Sequence, residues 1–494
     1  MRMRTNLLAL ACIAACPAAN AAHVDVRLLA PGGGESDALL VFAASSRALP
    51  LAPDADYKLR RRVLVDTLRA HADATQRDVR DWLDAHGIEY RSYWIANVIQ
   101  ARLPHAAIEA LAARSDVLRI EPNVSIALAL PPREAGADDA QHAPETISWG
   151  VEKIDAPAVW AAGYNGQGVV IAGEDTGYQW DHPALQPHYR GWDGANADHD
   201  YNWHDSIHDS SGNPCGNDSP EPCDDRGHGT HTAGTFAGDD GATHQTGVAP
   251  GAKWIGCRNM DSGNGTPARY IECMQWMLAP TDLNGENPNP DLAPDIVSNS
   301  WGCIPSEGCT VGDEIQEAVE NVVAGGIFFV ASASNAGPTC ETIATPPATY
   351  DASFVVGATD SSDRIAGYSS RGPVEGSVLV RPDIVAPGSS VLSSLPPNTY
   401  GTLSGTSMAA PHVSGTAALL MSVNPSLKGH PEEVAAILRA TTVIEGITDP
   451  SNPGCGGLTM AEWPNYQAGY GRLDAYAAFV LADTIFADGL EPED

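Results

Sequence analysis

Three short segments of the chain place an acid, an imidazole and a hydroxyl in separate glycine-flanked turns. They read EDTG at 174–177, GHGTH at 227–231 and GTSMAAP at 405–411. A serine hydroxyl is a weak nucleophile near neutral pH, so it needs a base to take its proton and an anion to orient that base. Asp175, His228 and Ser407 would supply these groups, in one of the chain orders known for serine hydrolases. The pattern predicts a hydrolase that forms an acyl-enzyme.

The segments around these turns resemble those of the subtilisin-like serine peptidases, and within that family the bacillopeptidase F kind. The resemblance covers roughly residues 149–481, and its most specific stretch is SGTSMAAPHV at 404–413. It implies that Asp175, His228 and Ser407 are the catalytic triad. It also implies that Asn335, in the turn ASNAG at 333–337, supplies a side-chain amide that stabilises the oxyanion.

The same resemblance implies where a substrate binds. We expect an extended peptide to pair with the backbone at Ser300, Trp301 and Gly302, because main-chain hydrogen bonds do not depend on the substrate's side chains. Thr345 and the small residues at 331–333 are expected to line the pocket for the residue before the scissile bond. No charged side chain falls at these positions, which favours apolar or medium-sized substrate residues.

Other classes of protein fit parts of the pattern. Aspartic peptidases share the DTG turn, but they need a second such turn, and the sequence around DSG at 261–263 lacks the repeated all-β texture of that fold. His228 and His231 invite a metal site, yet the Glu that a zinc peptidase helix requires is missing between them. A non-catalytic protein-binding relative is disfavoured because the triad and Asn335 are all present.

The first residues predict export. A basic start, an apolar run at 7–15 and the small residues ANA at 19–21 are typical of a signal peptide over 1–21. The segment IAAC at 13–16 also resembles a lipoprotein box, which leaves open a lipid anchor on Cys16. No later stretch reaches the roughly 20 apolar residues that span a bilayer. We therefore expect a secreted protein, extracellular or periplasmic, without a transmembrane segment.

Cysteine number and charge narrow the class further. Beyond the leader the sequence has an even number of cysteines, which predicts disulfides in an exported chain: Cys215, Cys223, Cys257, Cys273, Cys303, Cys309, Cys340 and Cys455. The pairs nearest in sequence are 215 with 223 and 303 with 309, but the connectivity stays open. The net charge of −34 lies almost entirely after residue 146. Such a field repels nucleic acid and anionic membranes and attracts cationic peptides.

The N-terminal part, 22–130, is expected to be a small α+β unit. Its pattern predicts a strand at 38–42, a long helix at 56–86, a strand at 90–103, a helix at 106–113 and a strand at 117–127. The unit resembles the ferredoxin-like inhibitory prodomain of the same family, whose C-terminal strand occupies the cleft. A Pro- and Ala-rich linker at 131–147 is expected to contain the maturation cut, so the protein would be an autoprocessed zymogen.

The remainder, 148–482, predicts an α/β fold with a mostly parallel sheet and helices on both faces. Unalternated apolar runs fit strands that are buried on both sides, and they occur at 169–172, 254–256, 296–297, 327–331, 354–357 and 384–386. Helices are expected at 230–237, 269–278, 313–324 and 474–481, followed by an acidic tail at 483–494. Sites in such sheets collect at the carboxyl ends of the strands, where Asp175 and Asn335 fall.

No cofactor is required for the predicted chemistry, and the metal content is left unknown. Ala184 replaces the acid with which many subtilisins hold calcium, while the Asp- and Asn-rich insert at 193–225 leaves open a structural calcium ion with oxygen ligands. His182 and His412 are expected to be structural. The expected partners are polypeptide substrates and the chain's own prodomain, and the expected state is a monomer.

Overall fold

The computed structural model describes residues 22–29, 34–46, 56–127, 146–302, 313–451 and 453–488. The chain forms two packed parts, here called the N-terminal unit (22–127) and the C-terminal unit (146–488). The N-terminal unit contains β1 (His23–Val24), β2 (Ser36–Phe42), α1 (Tyr57–Ala85), β3 (Tyr90–Tyr93), β4 (Val98–Leu103), α2 (His105–Ala112), β5 (Val117–Pro122) and β6 (Ile126–Ala127). The predicted α/β class is confirmed.

The C-terminal unit follows in chain order. Its elements are β7 (Thr146–Ile147), α3 (Trp149–Lys153), α4 (Ala156–Ala161), β8 (Val170–Asp175), β9 (Trp203–Asp205), α5 (His228–Ala237), β10 (His244–Gln245), β11 (Lys253–Arg258), β12 (Met260–Asp261), β13 (Asn264–Gly265), α6 (Pro267–Leu278), β14 (Ile296–Asn299), α7 (Asp313–Ala324), β15 (Phe328–Ser332), β16 (Phe354–Thr359), β17 (Ile384–Pro387), β18 (Val391–Leu395), β19 (Thr399–Leu403), α8 (Thr406–Val423), α9 (Pro431–Ala440), β20 (Gly454–Cys455), β21 (Leu458–Thr459) and α10 (Ala475–Asp488).

A seven-stranded sheet organises the C-terminal unit. Its order is β17-β16-β15-β14-β8-β11-β9, and every neighbouring pair is parallel. Successive residues of a strand face opposite sides: Ile171 packs into the core shared with α5 and α8, and Ala172 into the core shared with α6 and α7. The unalternated apolar runs arise because both faces of the sheet are covered.

The N-terminal unit holds a five-stranded sheet in the order β1-β5-β2-β4-β3. Helix α1 begins where Asp56, as N-cap, accepts a hydrogen bond from the Lys58 N–H at 2.9 Å. The single strand predicted at 90–103 is wrong. It is a hairpin, β3 and β4, which turns through Asn97 with a φ of 48°, a left-handed conformation that Asn tolerates.

The strand predicted at 117–127 also divides in two. β5 stays in the N-terminal sheet, whereas β6 pairs antiparallel with β13 of the C-terminal unit, Ile126 opposite Gly265 and Ala127 opposite Asn264. The last helix continues to Asp488, beyond its predicted end at 481. The first residues of the predicted acidic tail, 483–488, are therefore helical.

Three disulfides join described residues of the C-terminal unit. Cys215–Cys223 confirms the pair nearest in sequence, and Cys257–Cys273 and Cys340–Cys455 add pairings that spacing had not selected. Cys303 and Cys309 lie outside the described residues. None of the helices described here combines the length and the apolar composition of a membrane span.

Candidate active site

The acid and the imidazole meet where β8 ends and α5 begins. Asp175 is the last residue of β8 and His228 the first of α5. Close approach of the two turns requires a glycine at 229, because a Cβ there would lie 2.1 Å from the Gly177 carbonyl oxygen and 3.0 Å from the Asp175 Cβ. The glycines of the two motifs thus place the carboxylate against the ring.

The Asp175–His228 pair has the geometry of a base and its orienting anion. The His228 Nδ1–H donates to Asp175 Oδ1 at 2.7 Å, and both side chains are buried, with 3% and 2% exposed. A carboxylate can only accept, so Nδ1 carries the proton and Nε2 keeps its lone pair. His228 Nε2 is buried without a hydrogen-bond partner. The ring is thus buried where the DTG turn meets the start of α5.

Asp224 joins the two turns and was not identified from the sequence. Its Oδ1 accepts from the Thr176 hydroxyl at 2.9 Å and the Gly227 N–H at 2.7 Å, and its Oδ2 accepts from the Thr230 N–H at 2.9 Å. It therefore caps α5 from outside the helix and fixes the DTG turn to it. An acid shortly before a helix start is a recognisable capping signal. Here it lies just before the GHGTH motif at 227–231, and the prediction for this segment rested on the first histidine of that motif alone.

Ser407 lies at the second position of α8, the helix that crosses beneath the sheet. Pro411 lies in the second turn of this helix and lacks the N–H that would bond the Ser407 carbonyl. The hydroxyl of Ser300 donates to that carbonyl at 3.0 Å instead, while the Ser407 hydroxyl donates to the Ser300 carbonyl at 3.1 Å. The two serines are thus tied reciprocally.

The structure therefore brings Asp175 and His228 into a hydrogen bond but leaves Ser407 bonded to Ser300 and not to His228. The Ser407 hydroxyl must turn away from the Ser300 carbonyl before it can give its proton to Nε2. Ser407 lies in the first turn of α8. The first backbone N–H groups of a helix have no intrahelical partner, so they can stabilise a negative charge that forms beside Ser407.

Asn335 lies beside Ser407, because it bonds to the preceding residue, Thr406. Its side-chain oxygen accepts from the Thr406 backbone N–H at 2.9 Å and from the Thr406 hydroxyl at 3.0 Å. A backbone N–H can only donate, so the oxygen of the amide must face Thr406. The Nδ2 group is then the end directed away from α8. The side chain is exposed, so this donor is accessible to a substrate.

The predicted substrate-binding residues are mostly buried. Ser300 and Trp301 are each 1% exposed, and Trp301 stacks on Tyr270 with ring centroids 3.7 Å apart. Thr345 is fully buried and its hydroxyl lies 2.8 Å from that of Ser334. Gly302 is partly exposed. These side chains can shape the cleft, but any direct contact at 300 and 301 must use the backbone.

The other motif histidines have structural partners. His231 Nε2 lies 3.0 Å from the Val391 carbonyl oxygen, so it donates, and burial lowers its pKa to about 3. Burial lowers the pKa of His412 to about 4, where its Nδ1 faces the Met408 carbonyl, and that of His182, whose Nε2 faces the Thr399 carbonyl. All three rings are neutral donors to the backbone.

The acids of the 193–225 insert bind protein groups. Asp205 forms two hydrogen bonds with Arg258, at 2.9 and 2.7 Å, and Asp218 pairs with His208. Over the part of the chain that the structure describes, no three His, Cys, Asp or Glu side chains are arranged to hold a metal ion.

With this geometry in view, comparison with known proteins identifies the class. The model of the subtilase family, peptidase family S8, matches residues 166–471, and the chain belongs to that family. The predicted resemblance to subtilisin-like peptidases is confirmed.

Individual relatives are similar over different lengths. The chain is 36% identical over 438 residues to bacillopeptidase F of Bacillus subtilis strain 168, which covers 85% of this chain and 28% of that protein. It is 34% identical over 284 residues to subtilisin E of the same strain, 57% of this chain and 63% of that protein. The chain thus spans less than two thirds of each of these relatives. The strain's major intracellular serine protease is 34% identical over 276 residues, with 55% and 74% covered.

Proposed function

We propose that the protein is a secreted serine endopeptidase that hydrolyses polypeptides through an acyl-enzyme on Ser407. The observation that carries the proposal is the buried 2.7 Å hydrogen bond between Asp175 and His228. It fixes the tautomer in which Nε2 is the free base. Membership of the subtilase family supports the same reaction class.

Each step has a group suited to it. After the Ser407 hydroxyl turns to His228, Nε2 takes its proton as Oγ attacks the substrate carbonyl carbon. The resulting oxyanion accepts from the Ser407 backbone N–H at the start of α8 and from Asn335 Nδ2. The imidazolium, stabilised by Asp175, then protonates the leaving amine. Water then attacks the acyl carbon and gives its proton to Nε2, and the ester bond breaks as Nε2 returns that proton to Ser407 Oγ, which frees the acid product.

Substitution of the nucleophile tests this proposal. Ser407→Ala should abolish hydrolysis of an unfolded protein such as casein, because the attacking oxygen is gone. Ser414→Ala is the matched control, because Ser414 is a buried serine of the same helix whose hydroxyl donates to the Ala410 carbonyl one turn earlier. Activity that survives in Ser407→Ala, or is lost equally in both variants, would contradict the proposal.

We further propose that the N-terminal unit is an inhibitory prodomain removed by self-cleavage. It packs on α6 and α7, and residues of β2, α1 and β3 share one apolar core with those helices. The Tyr93 hydroxyl donates to Glu272 at 3.0 Å, and the Trp94 N–H donates to the Gln275 side chain at 2.7 Å. At the end of the N-terminal unit, β6 adds as an antiparallel strand to β13 of the C-terminal unit.

The charges of this interface are complementary. Arg61, buried in α1, donates to the Gly325 carbonyl at 2.7 Å, where a cation meets the negative end of α7. Arg119 forms an ion pair with Glu314, in the first turn of α7, at 2.9 Å. Cations of the N-terminal unit thus meet carbonyls and acids of the strongly acidic C-terminal unit, which favours a stable precursor.

Processing can be followed on a gel. Ser407→Ala should accumulate uncut precursor, whereas the Ser414→Ala control should be processed like the wild type. Normal processing of Ser407→Ala in a host that lacks other proteases would show that the cut is not made by this site.

Location, metal content and assembly complete the proposal. The disulfides 215–223, 257–273 and 340–455 suit an oxidising compartment, in accord with export. We expect a monomer in which a calcium ion, if bound by the 193–225 insert, is structural. Chelation should then lower the melting temperature and leave the initial rate at 25 °C unchanged. A rate that disappears at once on chelation would assign the metal to the chemistry.

A further inference from the structure

Glu174 is a buried acid directly beside the site whose role the triad does not explain. It precedes Asp175 on β8 and is completely buried. Because side chains alternate along a strand, it faces the opposite side of the sheet from the triad, towards α6. Cys257, which is disulfide-bonded to Cys273 of α6, is its neighbour in register on β11.

The groups around the carboxyl are neutral. The Asn259 amide donates to Glu174 Oε2 at 3.4 Å, and the indole of Trp301 faces the same carboxyl. Glu174 Oε1, Asn259 Oδ1 and Trp301 Nε1 are all buried without a hydrogen bond. The charge that acts on the carboxyl, among the described residues, is that of Asp175 on its own strand.

Burial without a cation keeps the proton on this acid. Desolvation, and to a smaller extent the Asp175 charge, raises the pKa of Glu174 to about 8. The Tyr178 phenol stays neutral as well, since burial, and after it the nearby acids Asp175, Glu174 and Asp224, raise its pKa. Near pH 7, Glu174 is therefore a hydrogen-bond donor as well as an acceptor. Asn259 Oδ1 is a buried acceptor without a donor, and the neutral acid carries a proton that the ionised carboxylate would lack.

These contacts reach both sides of the site. The Asn259 backbone N–H donates to the Asp175 carbonyl at 3.0 Å, so Asn259 holds the end of the acid-bearing strand. Trp301 follows Ser300, which exchanges hydrogen bonds with Ser407. Glu174 lies between these two segments.

We propose that Glu174 is a positioning residue that acts as a neutral carboxylic acid, holding Asn259 and Trp301 in place beneath the Asp175 and Ser300 segments. Its ionisation introduces an uncompensated charge there, which loosens both segments at alkaline pH. The effect on catalysis rests on the proposed peptidase function, whereas the effect on stability does not.

The stability arm uses the full chain with Ser407→Ala, so that self-digestion cannot interfere. The unfolded carboxyl titrates near 4.5 and the folded one near 8, so between these values the unfolded chain binds fewer protons. Linkage then requires stability to fall as pH rises through this window, with no further slope from this group above about 8. Glu174→Gln mimics the neutral acid and lacks this slope.

The expected result is a melting-temperature advantage of E174Q over its parent that grows from pH 5 to 8 and then stays constant. Glu445→Gln, at an exposed position, should show no such growth. Parallel melting profiles for E174Q and its parent would overturn the proposal. Failure of E174Q to fold at pH 6 while Glu174→Leu folds would also overturn it.

The activity arm uses the mature enzyme and a peptide substrate. If the ionised form is inactive, kcat of the wild type should fall about 25-fold between pH 7.5 and 9.5, and that of E174Q less than twofold. E174L should be about 10-fold slower than E174Q at every pH because it offers no hydrogen bond. Equal alkaline limbs in wild type and E174Q would contradict the positioning role. Absence of any peptidase activity would refute the proposed function instead. The melting profiles would still show whether Glu174 is a neutral acid in the folded protein.

Discussion

The Asn335 side chain has two separable tasks, and substitutions can divide them. Its oxygen anchors Thr406, and its nitrogen is the proposed oxyanion donor. Asn335→Ala removes both. Asn335→Asp keeps an acceptor for Thr406 but replaces the donor by a negative oxygen. The pair of variants thus separates an effect on stability from one on the rate.

The magnitudes follow from these contacts. Two hydrogen bonds of ordinary length contribute about 0.5–1.5 kcal/mol each, so Asn335→Ala should lower the free energy of unfolding by about 1–3 kcal/mol. Loss of one oxyanion donor costs about 10²–10³ in kcat, a value known from subtilisin itself. Asn335→Asp should keep nearly all of the stability, yet lose at least as much kcat because its charge opposes the oxyanion. KM should change little in both variants, because the donor acts on the transition state.

Steady-state kinetics at pH 7 with a chromogenic peptide, together with urea unfolding of the same preparations, measures both quantities. If Asn335→Asp kept the wild-type kcat, or if kcat of the two variants simply followed their stability, Asn335 would be an anchor for α8 and not an oxyanion donor.

Two further predictions concern the scaffold. Gly229→Ala must displace the Gly177 carbonyl by about 1 Å to relieve a 2.1 Å contact, so kcat should fall about 100-fold. The control is Gly367→Ala, which should keep the wild-type kcat because the nearest atom to its new Cβ lies at 3.6 Å. Equal kcat values for the two variants would refute the close-approach argument. The disulfide Cys340–Cys455 joins residues 115 positions apart. Replacing both cysteines by Ser should lower the free energy of unfolding by about 5 kcal/mol in the chain-entropy model, as measured by urea unfolding. A loss below about 1 kcal/mol would contradict this prediction.

Much of the fold could be predicted from short stretches of the sequence. Helix α1 was predictable because Asp56 caps a long amphipathic pattern, and the buried strands were predictable as apolar runs. The turn between β3 and β4 was not, because Trp94 and Ile95 continue the apolar pattern through it. Their backbone N–H groups bond to Gln275 of the other unit, a contact that no local window contains.

The candidate site also has features that the sequence predicts and features that it does not. The motif residues Asp175 and His228 were found from the sequence because their turns need particular residues at fixed spacing. The exchange between Ser300 and Ser407 was not, since it joins residues separated by 107 positions and depends on the N–H that Pro411 lacks. The burial of His228 likewise reflects packing around α5, which a motif does not encode.

The most direct test of the central claim is to label the purified protein with a fluorophosphonate and to map the modified residue by mass spectrometry. The free Nε2 of His228 should activate one hydroxyl, so the account predicts labelling at Ser407 that is lost in His228→Ala. Labelling at another residue, or labelling of Ser407 that persists unchanged without the His228 imidazole, would contradict it.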